Sequence, residues 1–141
     1  MCFVGLSAAP EYKLRGDDAD TGAIVGVDWG VFVSESIAAR FAFDSGVLGR
    51  KNSQLSTGLQ LFFSNTSNWQ PYVSTDFLFQ YAPRKEIGWK FRLGVEWDWV
   101  RFTGLNNMRM YMEVGAEQLF FDNKPQSIYL EAPRFGLLWH F

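Results

Sequence analysis

The stretch that decides the fold is Arg134-Phe-Gly136-Leu-Leu-Trp139-His-Phe141, in which two kinds of position alternate without interruption. In a β-strand, successive side chains point to opposite faces, so a period of two separates two surfaces. One of these surfaces is wholly apolar and is formed by Phe135, Leu137, Trp139 and Phe141. Such a strand places large apolar side chains side by side, which indicates contact with a protein core or with lipid.

The same stretch resembles the C-terminal signal of bacterial outer-membrane β-barrel proteins. That signal has a polar residue, a glycine two positions later, an aromatic or apolar residue three positions after that, and a final aromatic residue. Arg134, Gly136, Trp139 and Phe141 occupy these positions. The resemblance covers the last strand and implies insertion into the outer membrane by the barrel-assembly machinery.

The rest of the chain divides into seven further segments of alternating sequence. The clearest sets Trp89, Phe91 and Leu93 against Lys90 and Arg92. Turn-forming residues separate the segments at residues 15–22, 34–36, 46–54, 65–68, 82–86, 103–107 and 122–126. Each segment is long enough to cross a bilayer when tilted. We therefore predict a single domain over residues 1–141, an all-β, eight-stranded, antiparallel, up-and-down transmembrane β-barrel. In architecture it resembles the small OmpA/OmpX-type class of outer-membrane proteins.

Composition agrees with interleaved apolar and polar residues. Apolar residues make up 48% of the chain, yet no run approaches the roughly 20 apolar residues that a membrane-spanning helix needs. The net charge of −2 gives no reason to expect nucleic acid as a partner. Cys2 is the only cysteine, which excludes an intramolecular disulfide. Met1-Cys-Phe-Val-Gly-Leu lacks the charged start and apolar core of a secretory signal, so we expect the mature form of an exported protein.

Alternation alone fits two kinds of barrel. In a soluble lipocalin-like carrier the apolar face would line a cavity, whereas in a membrane barrel it faces lipid. Glycines recur on the polar face, where small residues suit the crowded lumen of an eight-stranded barrel. They are Gly26, Gly30, Gly58, Gly94, Gly115 and Gly136. This favours apolar side chains on the outside.

The polar face also carries charges of both signs, which we expect to pair inside the lumen because unpaired buried charges are costly. An ordinary solvated face of mixed charges is the alternative. The predicted ion-pair network consists of Asp28, Arg40, Asp44, Asp76, Lys90, Arg92, Glu96, Asp98, Arg109, Glu113, Glu117 and Arg134.

Aromatic residues gather near the strand ends, as in the girdles of outer-membrane barrels. We expect one rim to carry Trp69, Trp97, Trp99, Phe102, Trp139 and Phe141, and the other Tyr12, Phe43, Tyr81, Trp89, Phe120 and Tyr129.

Near the start of the last strand, uninterrupted alternation would turn Glu131 and Pro133 toward lipid. A β-bulge at Ala132-Pro133 avoids this, because proline is accepted at bulges. The bulge turns Ile128, Leu130 and Ala132 outward and Tyr129 and Glu131 inward.

An even number of strands places both chain ends on one side, which in the resembling proteins is the periplasm. The connections predicted on that side carry no Lys or Arg, whereas the opposite connections are basic. The cations expected to contact lipopolysaccharide are Arg15, Arg50, Lys51, Arg84, Lys85 and Lys124. Charged loops that serve only solubility are an equal alternative.

Catalytic chemistry finds little support in the sequence. His140 is the only histidine, and no serine and acid stand in a pattern that would make it a hydrolase. One His and one Cys offer no metal-ligand cluster. We therefore predict no catalytic residues, no metal and no cofactor.

The favoured function is structural: an integral outer-membrane barrel with a filled polar lumen, whose basic surface loops contact lipopolysaccharide among the membrane lipids. In a second form of this role, the barrel acts as a membrane subunit of a larger complex, together with other membrane subunits. The alternatives are a narrow channel and a lipid-modifying outer-membrane enzyme, with a soluble lipocalin-like carrier less favoured.

Overall fold

The computed structural model describes residues 1–15, 21–49, 51–63, 68–82, 84–98, 107–121 and 124–141. It consists of eight β-strands, and each has the alternating pattern that predicted it. The strands are β1 (Cys2–Arg15), β2 (Thr21–Ser34), β3 (Ile37–Leu48), β4 (Ser53–Phe62), β5 (Trp69–Ala82), β6 (Glu86–Asp98), β7 (Met108–Phe121) and β8 (Lys124–His140).

Every strand pairs antiparallel with its sequence neighbours, and β8 pairs with β1, so the sheet closes into a barrel. The closing seam brings the chain ends together: the Cys2 amide donates to the Phe141 carbonyl over 2.7 Å. Both ends therefore lie at one rim, which we call the terminal rim. The connections after β1, β3, β5 and β7 lie at the opposite rim.

The apolar face points outward, which confirms the predicted fold. Leu6, Trp89 and Leu93 are 68%, 59% and 55% exposed. Lys90 and Arg92, which alternate with Trp89 and Leu93 in β6, are 1% and 0% exposed and lie in the lumen. Apolar side chains on the outside and charged side chains on the inside are the reverse of the arrangement in a soluble protein. Closure of the sheet pairs its two edges, as the hydrocarbon core of a bilayer requires.

Among the described residues there is no helix long and apolar enough to cross a membrane.

The predicted bulge in β8 is confirmed from both of its neighbours. Between Glu131 and Arg134, β8 contains one residue more than the facing part of β7. The same extra residue appears against β1. Tyr129 and Glu131 are consequently buried in the lumen, while Pro133 is exposed outside. The prediction that placed Tyr129 in the outer aromatic girdle is therefore wrong.

Several predicted connections are shorter than expected. β1 continues to Arg15, β3 to Leu48, and β8 already begins at Lys124. Ladder hydrogen bonds depend on backbone groups, so pairing continues where the apolar pattern has faded. After β3, Gly49 adopts φ 70°, a left-handed conformation that glycine accepts without strain.

The outer aromatic positions are otherwise largely as expected. Trp69 and Trp97 stack at the terminal rim with ring centroids 5.3 Å apart. Tyr81 and Trp89 are exposed toward the opposite rim. Trp99 and Phe102, and most of the turns at 65–68 and 103–107, lie outside the described residues.

Candidate functional site

The lumen is the candidate site, because it holds the buried charges of the described residues. Its centre is Arg40 on β3. One guanidinium nitrogen lies 2.9 Å from Asp28 Oδ1, and the two terminal nitrogens lie 2.9 and 3.2 Å from the carboxylate oxygens of Glu113. All three residues are almost completely buried. A two-pronged arginine–carboxylate contact of this kind fixes both groups in orientation as well as in charge.

Two tyrosines complete this central group. The Tyr72 hydroxyl donates to Glu113 Oε2 and the Tyr111 hydroxyl donates to Asp28 Oδ2, each over 2.6 Å. The Arg40 guanidinium also lies over the Tyr111 ring, 5.7 Å from its centroid. The carboxylates thus use several acceptor positions, which lowers the cost of burying them.

Arg92 and Arg134 extend the network along the barrel axis. Arg92 Nη1 lies 2.5 Å from Asp76 Oδ2, and its Nε lies 3.5 Å from Glu113 Oε1. Arg134 contacts Asp44 directly, pairs with Glu131 over 3.0 Å, and donates to the Ser7 hydroxyl over 2.8 Å. Arg134 is therefore both a lumen residue and the first position of the terminal signal.

Toward the opposite rim, Lys90 binds a group of carboxylates. Its ammonium lies 2.5 Å from Glu131, 3.1 Å from Asp44 and 3.5 Å from Glu117. Glu11, Glu117 and Glu131 each offer an oxygen within 4.8 Å of the other two. Among the described residues, this carboxylate triad is the one group of possible metal ligands that lie this close together, and the Lys90 ammonium contacts two of its members.

The buried charges do not balance within the described lumen. Four buried cations, Arg40, Lys90, Arg92 and Arg134, face nine buried carboxylates. These are Glu11, Asp28, Asp44, Asp76, Glu86, Glu96, Glu113, Glu117 and Glu131. Two half-buried cations add positive charge at the rims: Lys13 lies over the Tyr129 ring and Arg109 lies near Glu96.

Three of the predicted network residues lie at the terminal rim. Glu96 is fully buried, whereas Asp98 and Arg109 are half-buried. Arg109 contacts Gln70 and lies 3.6 Å from Glu96 Oε2. Asp98 lies opposite Arg109 in the β6–β7 register.

Sequence reasoning omitted several members of the network. Glu11 and Glu131 were not assigned to it, nor were the tyrosine hydroxyls. A signal existed for Glu11, because it shares the inward register of β1 with Phe3 and Ser7. No sequence pattern indicated that Tyr72 and Tyr111 bind the central carboxylates, since aromatic residues occur on both faces.

An apolar layer, made mostly of aromatic rings, closes the lumen between the central Arg40 group and the terminal rim. It is formed by Phe3, Ala38, Phe62, Tyr72, Tyr111 and Leu138, with Phe32 packed against it. His140 lies between Phe3 and Phe32, with ring centroids 5.7 and 5.9 Å away. The space between this layer, Arg40, Gln60 and Glu96 has no room for a water molecule.

The terminal signal residues divide between the two faces. Arg134 lies in the network, and Gly136 lies against the Tyr111 ring, so closely that a Cβ there would overlap it. Trp139 and Phe141 are exposed on the outside.

The predicted surface cations are partly described. Lys51, Arg84 and Lys85 are exposed at the opposite rim, and Arg84 lies 3.3 Å from Glu86. Arg50 and the side chains of Arg15 and Lys124 lie outside the described part of the chain.

Solved structures with the same fold are small transmembrane barrels. The N-terminal β-barrel domain of Pseudomonas aeruginosa OprF matches with a TM-score of 0.71 and 11% identity, covering 99% of this chain and 97% of that one. Neisserial surface protein A matches with a TM-score of 0.71 and 12% identity, over 99% and 97% of the two chains. A designed transmembrane β-barrel matches with a TM-score of 0.64 and 12% identity, over 97% and 93%.

No protein-family model matches the chain, and no curated protein matches it in sequence. Since a designed barrel shares the architecture, the likeness alone indicates no activity. The chain has the fold of the small eight-stranded outer-membrane barrels.

Proposed function

We propose that this protein is a closed structural barrel of the Gram-negative outer membrane, with its chain ends in the periplasm. The filled lumen is the observation that carries this proposal. Ion pairs and aromatic rings occupy the space that an open pore would need, and the central gap has no room for water. A conducting barrel requires a continuous aqueous path, which favours a structural role over a channel.

The exposed outer wall supports residence in a bilayer. Val27, Leu59, Phe91 and Val114 project from four different strands and are each more than a third exposed. Exposing so much apolar surface to water would be strongly unfavourable, whereas acyl chains accommodate it.

Cations at the opposite rim support contact with lipopolysaccharide. Lys51 and Lys85 are exposed there, and the Arg84 side chain is 60% exposed although its guanidinium lies near Glu86. Lipopolysaccharide carries phosphates, for which Lys and Arg are suitable partners. With this contact the opposite rim is the cell-surface side.

We also propose that the protein is not an enzyme. A histidine-dependent hydrolase needs the imidazole beside a nucleophile and an orienting acid. Here His140 is buried between two phenylalanine rings, and its nearest carboxylate, Glu96, lies 3.7 Å away.

In a second form of the structural role, the barrel is one subunit of a larger membrane assembly. A shallow groove of about 430 Å³ on the outer wall supports it. Leu6, Ala8, Met110, Phe135 and Leu137 contribute to its lining. Met110 belongs to an outward stripe with Met108 and Met112, and methionine adapts well to irregular apolar contacts.

Fluorescence quenching by brominated acyl chains tests the membrane placement. One variant keeps Trp89 as its only tryptophan, and the matched variant carries Phe62→Trp as its only tryptophan. Trp89 is outward and 59% exposed, whereas Phe62 is inward and 6% exposed. We expect strong quenching of Trp89 and weak quenching at position 62; equal quenching contradicts the proposal. Stable single-channel currents in planar bilayers would contradict the closed lumen.

A further inference from the structure

The terminal rim contains a cavity that the structural role does not use. Its volume is about 330 Å³, and Met1, Phe32, Ser34, Glu35, Gln70 and Arg109 line it. This size lies at the lower end of the range for small-molecule sites, which is about 300–1,000 Å³. The lining combines an apolar wall with one carboxylate and one guanidinium.

We propose that this cavity binds a small zwitterion of the phosphoethanolamine type. Its phosphate lies against Arg109, and its ammonium lies against Glu35. A cation alone would meet the positive charge of Arg109, and an anion alone would meet the negative charge of Glu35. A ligand with both charges satisfies both side chains, which is the basis of the selectivity.

The Arg109 side chain is partly exposed and held in place, so it can bind an anionic group. Its side chain is 26% exposed, and it is held from within the barrel by Gln70 and by Glu96, whose Oε2 lies 3.6 Å away. Both contacts involve Nη1 alone. A guanidinium has five N–H donors, so these two contacts, both to Nη1, use only part of them. Asp98 lies opposite Arg109 in the β6–β7 register, so a phosphate at Arg109 competes with that carboxylate as well as with Glu96.

Glu96 limits the strength of the site. Its Oε2 is shared between Arg109 Nη1 at 3.6 Å and His140 Nε2 at 3.7 Å, while its Oε1 accepts a hydrogen bond from Gln60 over 3.2 Å. The buried carboxylate therefore offsets part of the Arg109 charge. Removing the charge of Glu96 leaves more of the positive potential available to a phosphate, so anion binding should become tighter.

Titration calorimetry on the full chain in phospholipid-free detergent tests the site, with phosphoethanolamine as the probe. We expect Arg109→Gln to weaken binding by about tenfold, the loss of one charge-assisted contact. Glu35→Gln should remove the preference for phosphoethanolamine over inorganic phosphate. Glu96→Gln should tighten binding severalfold. Ethanolamine alone and inorganic phosphate alone should bind more weakly than phosphoethanolamine to the unaltered protein.

The result that overturns the proposal is no measurable binding of the probe, or equal binding to the unaltered protein and to Arg109→Gln. Weaker binding to Glu96→Gln would also overturn it, provided that this variant keeps the unaltered far-ultraviolet circular dichroism. The source of the ligand is distinguished in nanodiscs. Competition by phosphatidylethanolamine, but not by phosphatidylglycerol, assigns the site to a lipid headgroup, and absence of competition assigns it to a soluble compound.

Discussion

Arg40 and Glu113 join opposite walls of the barrel. They lie on β3 and β7, which are separated by three strands in either direction around the closed sheet. The pair has two contacts, of 2.9 and 3.2 Å, across 73 residues of sequence. An ion pair in this position holds the two walls together, because neither wall can move outward without separating two buried charges.

Glu113→Gln should therefore destabilise the barrel strongly. Among the ion pairs of the described residues, this change leaves Arg40 with Asp28 as its carboxylate partner. It also removes a negative charge that Arg92 and Arg134 approach to 3.5 Å. Removing one partner of a buried pair costs about 3–5 kcal/mol. Unfolding by urea in lipid vesicles, followed by tryptophan fluorescence, measures this free energy. Glu35→Gln removes the same charge from an exposed turn and serves as the control. An equal effect of the two changes would contradict a stabilising role for the Arg40–Glu113 pair across the barrel.

The carboxylate triad should respond differently to two similar changes. Glu131 pairs with both Lys90 and Arg134, so Glu131→Gln should lower the free energy of unfolding by about 3 kcal/mol or more. Glu11→Gln removes one of three negative charges within 4.8 Å of one another, in a region where carboxylates outnumber cations. We expect it to leave stability unchanged or to raise it. If Glu11→Gln destabilises as much as Glu131→Gln, like-charge repulsion does not dominate the triad.

We expect replacement of Gly136 by alanine to destabilise the barrel, whereas replacement of Gly115 by alanine should be tolerated. A Cβ at Gly136 would overlap the Tyr111 ring, whose hydroxyl is fixed on Asp28. At Gly115 the nearest atom to such a Cβ is Arg92 Cγ at 3.4 Å, close to an ordinary contact. Gly136→Ala should lower the unfolding midpoint by an amount equivalent to about 1–3 kcal/mol, the usual cost of overpacking. Gly115→Ala is the matched control, and the prediction fails if the two variants have the same midpoint.

The sequence was sufficient for the fold because each strand repeats one simple pattern. Alternation at Trp89-Lys90-Phe91-Arg92 determines which side chains face inward, and the Ala132-Pro133 irregularity determines where a strand must bulge. The contacts between inward residues could not be predicted in the same way. Whether Arg40 meets Glu113 or another acid depends on the stagger of the strands around the barrel, which no local pattern records. Tyr129 was assigned to the girdle because its position along the strand was considered without the effect of the bulge.

The exposed lysines of the opposite rim provide the test of lipopolysaccharide contact. Lys51 and Lys85 take part in no ion pair identified among the described residues, so replacing them should change binding without disturbing the barrel. A ligand that binds only the folded state stabilises it by an amount that grows with the logarithm of the ratio of ligand concentration to Kd, and so raises the unfolding midpoint. We expect added lipopolysaccharide to stabilise the Lys51→Gln, Lys85→Gln double variant less than the unaltered protein, with an affinity about tenfold lower, since each exposed ion pair contributes modestly. The Lys51→Arg, Lys85→Arg variant keeps both charges and should retain the full shift. If the glutamine and arginine variants are stabilised equally, the surface cations serve solubility and do not bind the phosphates.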